Sequence, residues 1–293
     1  AARGGLDLPG AGLAAVALFA IVLPLTMGHQ WGWPWWTAPV LLASVPVAAV
    51  FLRRQRRLES AGRSPLIPPS LLRQAGVGWG LAMIAVFGSG ITAFFWLLAL
   101  DLQAGRGMDP AGAGLMMVPL AVAFAAASLS APRLSAPRLS APRLSAPRLS
   151  PARPERVVIG GSVVTALGYL AMAAVATPPL PVAAIVLAVI GAGQGLAITP
   201  MLGLALRAVP SRQAGAGAGL VVTAQQLGSA LGVCLFGLVF YGAVSHGGAG
   251  FHGGPGAAVI PAFRVTIATL PVTALAAALI ARRLSAASVP KAA

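Results

Sequence analysis

Eight long apolar runs, joined by short connections that carry most of the charge, limit this chain to one solvent and one kind of secondary structure. A helix needs about 20 apolar residues to cross the roughly 30 Å hydrocarbon core of a bilayer. Runs of that scale are Leu8–Gly28, Trp35–Leu52, Val77–Leu100, Ala111–Leu129, Val157–Ala176, Val182–Leu206, Ala214–Ala243 and Ile260–Ala281. Strands of a membrane barrel are about ten residues long and alternate in polarity, unlike these runs. Each span must therefore satisfy its backbone hydrogen bonds internally, as a helix. Pro24, Pro46, Pro119, Pro200 and Pro271 are compatible with that reading, because proline and glycine are commoner in membrane helices. The expected fold is all-α, a polytopic transmembrane bundle of about eight spans.

Hydrophobic residues make up 58% of the 293 residues and charged residues 9%, against about 25% charged in a soluble domain. So few charges cannot cover a water-exposed surface. The net charge of +15 would suggest nucleic acid if it lay on one globular face. Here it is split into clusters between apolar runs, so lipid is the expected partner and nucleic acid is not. Basic residues mark the cytoplasmic side of a membrane protein. Arg3, the cluster Arg53 to Arg73, the cluster Arg133 to Arg156, Arg207, Arg212, Arg282, Arg283 and Lys291 fall on one side of the eight-span count. Only Arg106 and Arg264 fall on the other. Both termini are thus expected in the cytoplasm of a bacterial plasma membrane. Trp31, Trp33, Trp35 and Trp36 cluster at the outer junction of the first two spans, where amphipathic rings favour the interface.

The remaining chemistry is sparse. Cys234 is the one cysteine and sits in an apolar run, so it reads as a small packing residue. His29, His246 and His252 lack zinc-site spacing. No nucleophile–base pair is evident, and GAGQG at Gly191–Gly195 is not followed by the GK[ST] of a phosphate loop. No cofactor, metal or enzymatic activity is expected. The first run is longer than a signal-peptide core and is read as a span. The chain opens on alanine, which suggests a fragment or a processed product. Residues 130–149 are four copies of SAPRL. Proline at every fifth position argues against a regular helix, so 130–156 reads as a cytoplasmic loop. It is either a basic strip for anionic headgroups or an expansion tolerated because loop length costs little.

Several patterns carry a family resemblance. DPAGAGLMMVPL (Asp109–Leu120), GAGQGLAITP (Gly191–Pro200) and AGAGAGLVVTAQQLGSALGV (Ala214–Val233) resemble, in order and spacing, helices of the C-terminal half of the major facilitator superfamily. More narrowly, they resemble its fourteen-span drug:proton antiporters of the EmrB/QacA type. Residues 1–52, with Asp7, Gly10 and the WGW at Trp31–Trp33, are similar to the helix pair that those antiporters carry between their halves. By that resemblance, 53–76 is a cytoplasmic linker, 77–284 a six-helix transporter bundle and 285–293 a cytoplasmic tail. The SAPRL repeat stands where the family has a short glycine- and arginine-containing motif, and Ala218 where it usually has serine. The first six helices of such a transporter, with their membrane carboxylate, are not in this chain. The resemblance implies the C-terminal portion of a proton-coupled exporter of hydrophobic compounds, unable to transport without the missing half. A non-transporting remnant or scaffold, and a metabolite carrier of the same superfamily, are the alternatives.

Proton coupling needs an ionisable group in the membrane, where such groups are rare. Of the five acidic residues, four fall in loops or termini. Asp101 alone adjoins a span, either as a cation or proton site or as an interfacial carboxylate solvated near Arg106. Gln194 and Gln226 lie inside spans. They must face the bundle, to bond substrate or to tie helices together. Phe95, Trp96 and Met116 are candidates for an apolar substrate path or for plain packing. The pairs Gly191/Gly195, Gly215/Gly219 and Gly228/Gly232 have the GxxxG spacing of close helix contact. Arg264 is expected to snorkel outward.

Overall fold

A computed structural model describes residues 7–28, 34–61, 63, 65–135, 154–175, 179–247 and 258–287. Every regular element among them is helical: α1 (Leu8–Met27), α2 (Thr37–Ser60), α3 (Pro69–Leu72), α4 (Ala75–Leu100), α5 (Pro110–Met116), α6 (Val118–Ser135), α7 (Pro154–Ala174), α8 (Leu180–Leu206), α9 (Ala214–Gly247), α10 (Val259–Ile267) and α11 (Pro271–Ala287), with a π-helical turn at Asp101–Gly105 and a 3-10 turn at Ser211–Gln213. Eight helical stretches are long and apolar enough to cross a membrane, and each overlaps one of the eight runs.

Two of the eight are interrupted. α5 gives way to α6 at Met117, two residues ahead of Pro119. The last span divides into α10 and α11 ahead of Pro271, whose ring cannot donate to a helical ladder. There the chain tightens, with Leu270 N donating to the Ile267 carbonyl and Thr273 N to the Leu270 carbonyl. Pro200, by contrast, sits inside an unbroken α8. The expected boundaries also shift. α2 runs on to Ser60, into the stretch expected as a cytoplasmic linker. α6 continues through the first SAPRL copy to Ser135 with Pro132 inside it, and α7 already begins at Pro154. A proline in a final turn removes one ladder bond and does not halt a helix already formed. The other repeat copies, Trp31, Trp33, His29 and His252 lie outside the described residues.

Small residues set the packing. On α8, a β-carbon at Gly191 would overlap the Leu120 carbonyl of α6, and one at Gly195 the Phe124 carbonyl. On α9, Gly228 and Gly232 meet the Ala85 and Ser89 carbonyls of α4 in the same way. Both members of each contact advance by four residues together, so each pair is parallel and in register. Thr92 Oγ1 donates to Ser229 Oγ at 2.8 Å across α4–α9, and Ser128 and Thr199 share a 2.9 Å hydrogen bond across α6–α8. The two seams thus have one design, backbone approach through glycine plus one hydroxyl pair, as suits association in lipid. Gly215 and Gly219 depart from expectation. No described side chain or neighbouring backbone lies within 4 Å of a β-carbon at either position, because they occupy the first turns of α9, where α4 is not against them.

The buried side chains form one cluster around Phe94, Tyr169 and Phe263 and another around Met83, Phe87 and Met201. α1 joins α9 through Leu25, Ala230 and Cys234. Large apolar residues such as Phe19, Leu42, Leu115 and Val272 are more than half exposed, which fits surfaces whose solvent is lipid.

Candidate functional site

The carboxylates are placed differently from what their sequence positions suggest. Asp101 is not solvated. The π-helical turn, closed by Arg106 N donating to the Asp101 carbonyl at 2.9 Å, winds the side chain back into the bundle, where it is 1% exposed. Arg106 Nε donates to Oδ2 at 2.8 Å, while Oδ1 is buried with no hydrogen-bond partner. A β-carbon on Gly105 would come within 3.5 Å of Oδ1 and 3.3 Å of Val259 and Ile260 of α10, so the carboxylate faces a tight, apolar wall. Gly107 then turns the chain with φ +65°, a conformation that glycine adopts without steric strain. Glu155 also leaves the loop assigned to it. It is buried in the first turn of α7, 3.6 Å from Arg207, with Oε2 unpartnered.

Asp7 forms a network that its terminal position did not suggest. It caps α1 by accepting from Gly10 N at 3.0 Å, pairs with Arg54 at 2.8 Å and accepts from Gln55 Nε2 at 3.0 Å. The Arg54 guanidinium holds the Asp7 carboxyl below its ordinary value of 3.8, against the opposing effect of burial. Gln55 is fully buried, and its carbonyl oxygen accepts from Ile67 N at 3.1 Å. One side chain therefore ties the start of α1, the end of α2 and the following connection. An Asp–Gly pair ahead of one span and an Arg-Gln pair at the end of the next were the available signals.

Among the polar candidates, Gln194 is buried and donates to Tyr169 Oη at 3.2 Å, tying α8 to α7. Gln226 and its neighbour Gln225 are both exposed, and Gln225 lines a cavity of about 60 Å³ with Ile84, Phe87 and Ile91 of α4 and Ile198 and Met201 of α8. Successive helix residues are about 100° apart, enough to exchange which glutamine meets the cavity. Phe95, Trp96 and Met116 are half-buried against the Phe94–Tyr169 cluster, and Trp96 stacks edge-on with Phe240 at 5.6 Å. None of the three lines the cavity at Gln225. Arg264 is exposed as expected, but its Nε donates to the Ala173 carbonyl at 3.0 Å and so closes the end of α7. No group of three or more potential metal ligands occurs among the described residues.

The cavity beside Gln225 is far below the roughly 300–1,000 Å³ of a drug-sized site. What the bundle presents is a wall: an apolar surface from α4 and α8 with a polar edge from α9.

Comparison with known proteins places this architecture. The family profile of the Major Facilitator Superfamily matches residues 9–233. The chain is 32% identical over 247 residues to the probable actinorhodin transporter of Streptomyces coelicolor, covering 82% of this chain and 40% of that protein. It is 31% identical to the cephamycin export protein CmcT of Amycolatopsis lactamdurans, over 78% of this chain and 45% of the relative. It is 26% identical to the multidrug resistance protein Stp of Mycobacterium tuberculosis, over 80% and 40%. The chain thus spans less than half the length of these three relatives.

Proposed function

This chain belongs to the Major Facilitator Superfamily, and we propose that it is the C-terminal portion of a fourteen-span exporter of hydrophobic antibiotics or drugs, driven by protons and working by alternating access. The observation that carries the reading is the set of relatives, whose names describe a transporter, an export protein and a multidrug resistance protein. Their greater length supports a machine with further spans. So does the small size of the 60 Å³ cleft at Gln225, since alternating access rocks two bundles around a shared site. In this reading Gln225 and the apolar wall of α4 and α8 form half of the substrate chamber. Asp101, the buried carboxylate with an unpartnered oxygen, is the group of this half that takes up a proton. The protein lies in a bacterial plasma membrane with α2, α7 and α8 turning at the cytoplasmic face, where their arginines sit.

Liposomes with an imposed pH gradient test it. The purified chain alone is expected not to move a lipophilic cationic dye. Co-reconstitution with a six-span N-terminal half from a relative, joined or separate, is expected to start proton-driven movement that Asp101→Asn abolishes. Proton-driven movement by the chain alone would overturn the half-machine reading. Movement by the assembled protein that is indifferent to the pH gradient would overturn proton coupling.

A further inference from the structure

We propose that the cleft between the end of α2 and α3 is a binding site for the headgroup of an anionic phospholipid. The cleft has a volume of about 440 Å³ and is lined by Arg56, Arg73, Leu52, Leu72 and the pair Glu59 and Ser70. Arg56 and Arg73 come from opposite walls. Both are exposed, and neither side chain has an ion-pair or hydrogen-bond partner among the described residues. The one acid on the cleft is engaged, because Ser70 Oγ donates to Glu59 Oε1. That contact docks α3 on α2 and sets the width of the opening. Leu52 and Leu72 are 37% and 38% exposed. Leu52 lies one turn nearer the apolar part of α2 than Arg56.

These features match one ligand. Two unpaired guanidiniums suit a phosphate, which they bind through paired N–H donors. The exposed leucines suit the first carbons of acyl chains. A cluster of arginines just beyond a span is the usual sequence mark of anionic lipid recognition, and Arg53 and Arg57 extend the positive field along α2. A lipid seated there bridges α2 and α3, the short helix that leads into α4. The site stands independently of any transport activity.

The purified chain, reconstituted in nanodiscs of phosphatidylcholine with a minority of phosphatidylglycerol and then washed in detergent, is expected to retain phosphatidylglycerol selectively by native mass spectrometry. Arg56→Gln with Arg73→Gln is expected to lower that retention about tenfold. Arg56→Lys with Arg73→Lys is expected to retain an amount between the parent and the glutamine pair, because the charge stays while the paired N–H donors are lost. Arg282→Gln with Arg283→Gln, at another basic end, is expected to change nothing. Equal retention of both lipids, or equal loss in the two glutamine pairs, overturns the site. Displacement of the lipid by millimolar inorganic phosphate overturns the lipid as occupant, since a headgroup anchored by its acyl chains does not exchange with the free anion.

Discussion

Arg106 Nε stands 2.8 Å from Asp101 Oδ2 across a single π-helical turn, and the bundle closes over the carboxylate more completely than over the guanidinium, at 1% and 17% exposed. Removing one member of a buried pair leaves the other charge uncompensated. The penalty depends on how buried the survivor is. Arg106→Gln is therefore expected to destabilise the protein by about 3 kcal/mol, and Asp101→Asn by about 1 kcal/mol. Thermal unfolding in detergent measures both. Equal shifts would mean that the carboxylate is hydrated.

The glycine seams predict a contrast within one helix. Gly228→Ala or Gly232→Ala places a methyl against a backbone carbonyl of α4, which has no side-chain freedom with which to yield. A loss of about 2–3 kcal/mol is expected. Gly215→Ala and Gly219→Ala meet open space and are expected to be neutral or to stabilise by about 0.5 kcal/mol through helix propensity. Melting temperatures of the four variants decide it.

The Asp7 network predicts an acid limb in the stability profile. Because Arg54 lowers the folded carboxyl below its ordinary 3.8, the ionised group stabilises the fold above that value. The contribution fades as pH falls through the lowered folded value. Unfolding temperatures measured between about pH 5 and pH 2 are expected to drop more steeply in the parent than in Asp7→Asn, which has no carboxyl to protonate.

Tyr169→Phe keeps the ring packing and removes the acceptor that the buried Gln194 amide has among the described residues. A loss of about 1–2 kcal/mol is expected. Adding Gln194→Leu to Tyr169→Phe is expected to recover part of that loss, because the polar group left unpaired is then gone. A double-mutant cycle by thermal unfolding tests the coupling.

The eight spans were legible because burial in lipid demands apolar length, and length is written directly in Leu8–Gly28 or Val182–Leu206. The seams at Gly191/Gly195 and Gly228/Gly232 were legible as spacing. The same spacing at Gly215/Gly219 pointed to a contact that does not form among the described residues, because spacing does not say whether a partner helix lies opposite. Asp101 stayed open between an ion site and a solvated interfacial carboxylate for a related reason. A span's end, counted by hydropathy, looks like an interface, and the single extra residue of a π turn that returns the carboxylate inward leaves hydropathy unchanged. Which of Gln225 and Gln226 meets the small cavity was not legible, because a 100° difference in facing is set by α4 and α8, not by α9 alone. The Asp7–Arg54–Gln55 network joins two connections, and no local pattern links them.

Asp7 and Arg54 are 47 positions apart, and that interval bears on how the protein is made. The carboxylate that opens the first span leaves the ribosome long before its guanidinium does. Throughout that interval Asp7 can bond Gly10 and water, but not Arg54 or Gln55. The latch at the start of α1 can close only after the end of α2 has been synthesised, and closing it fastens the two spans as a hairpin.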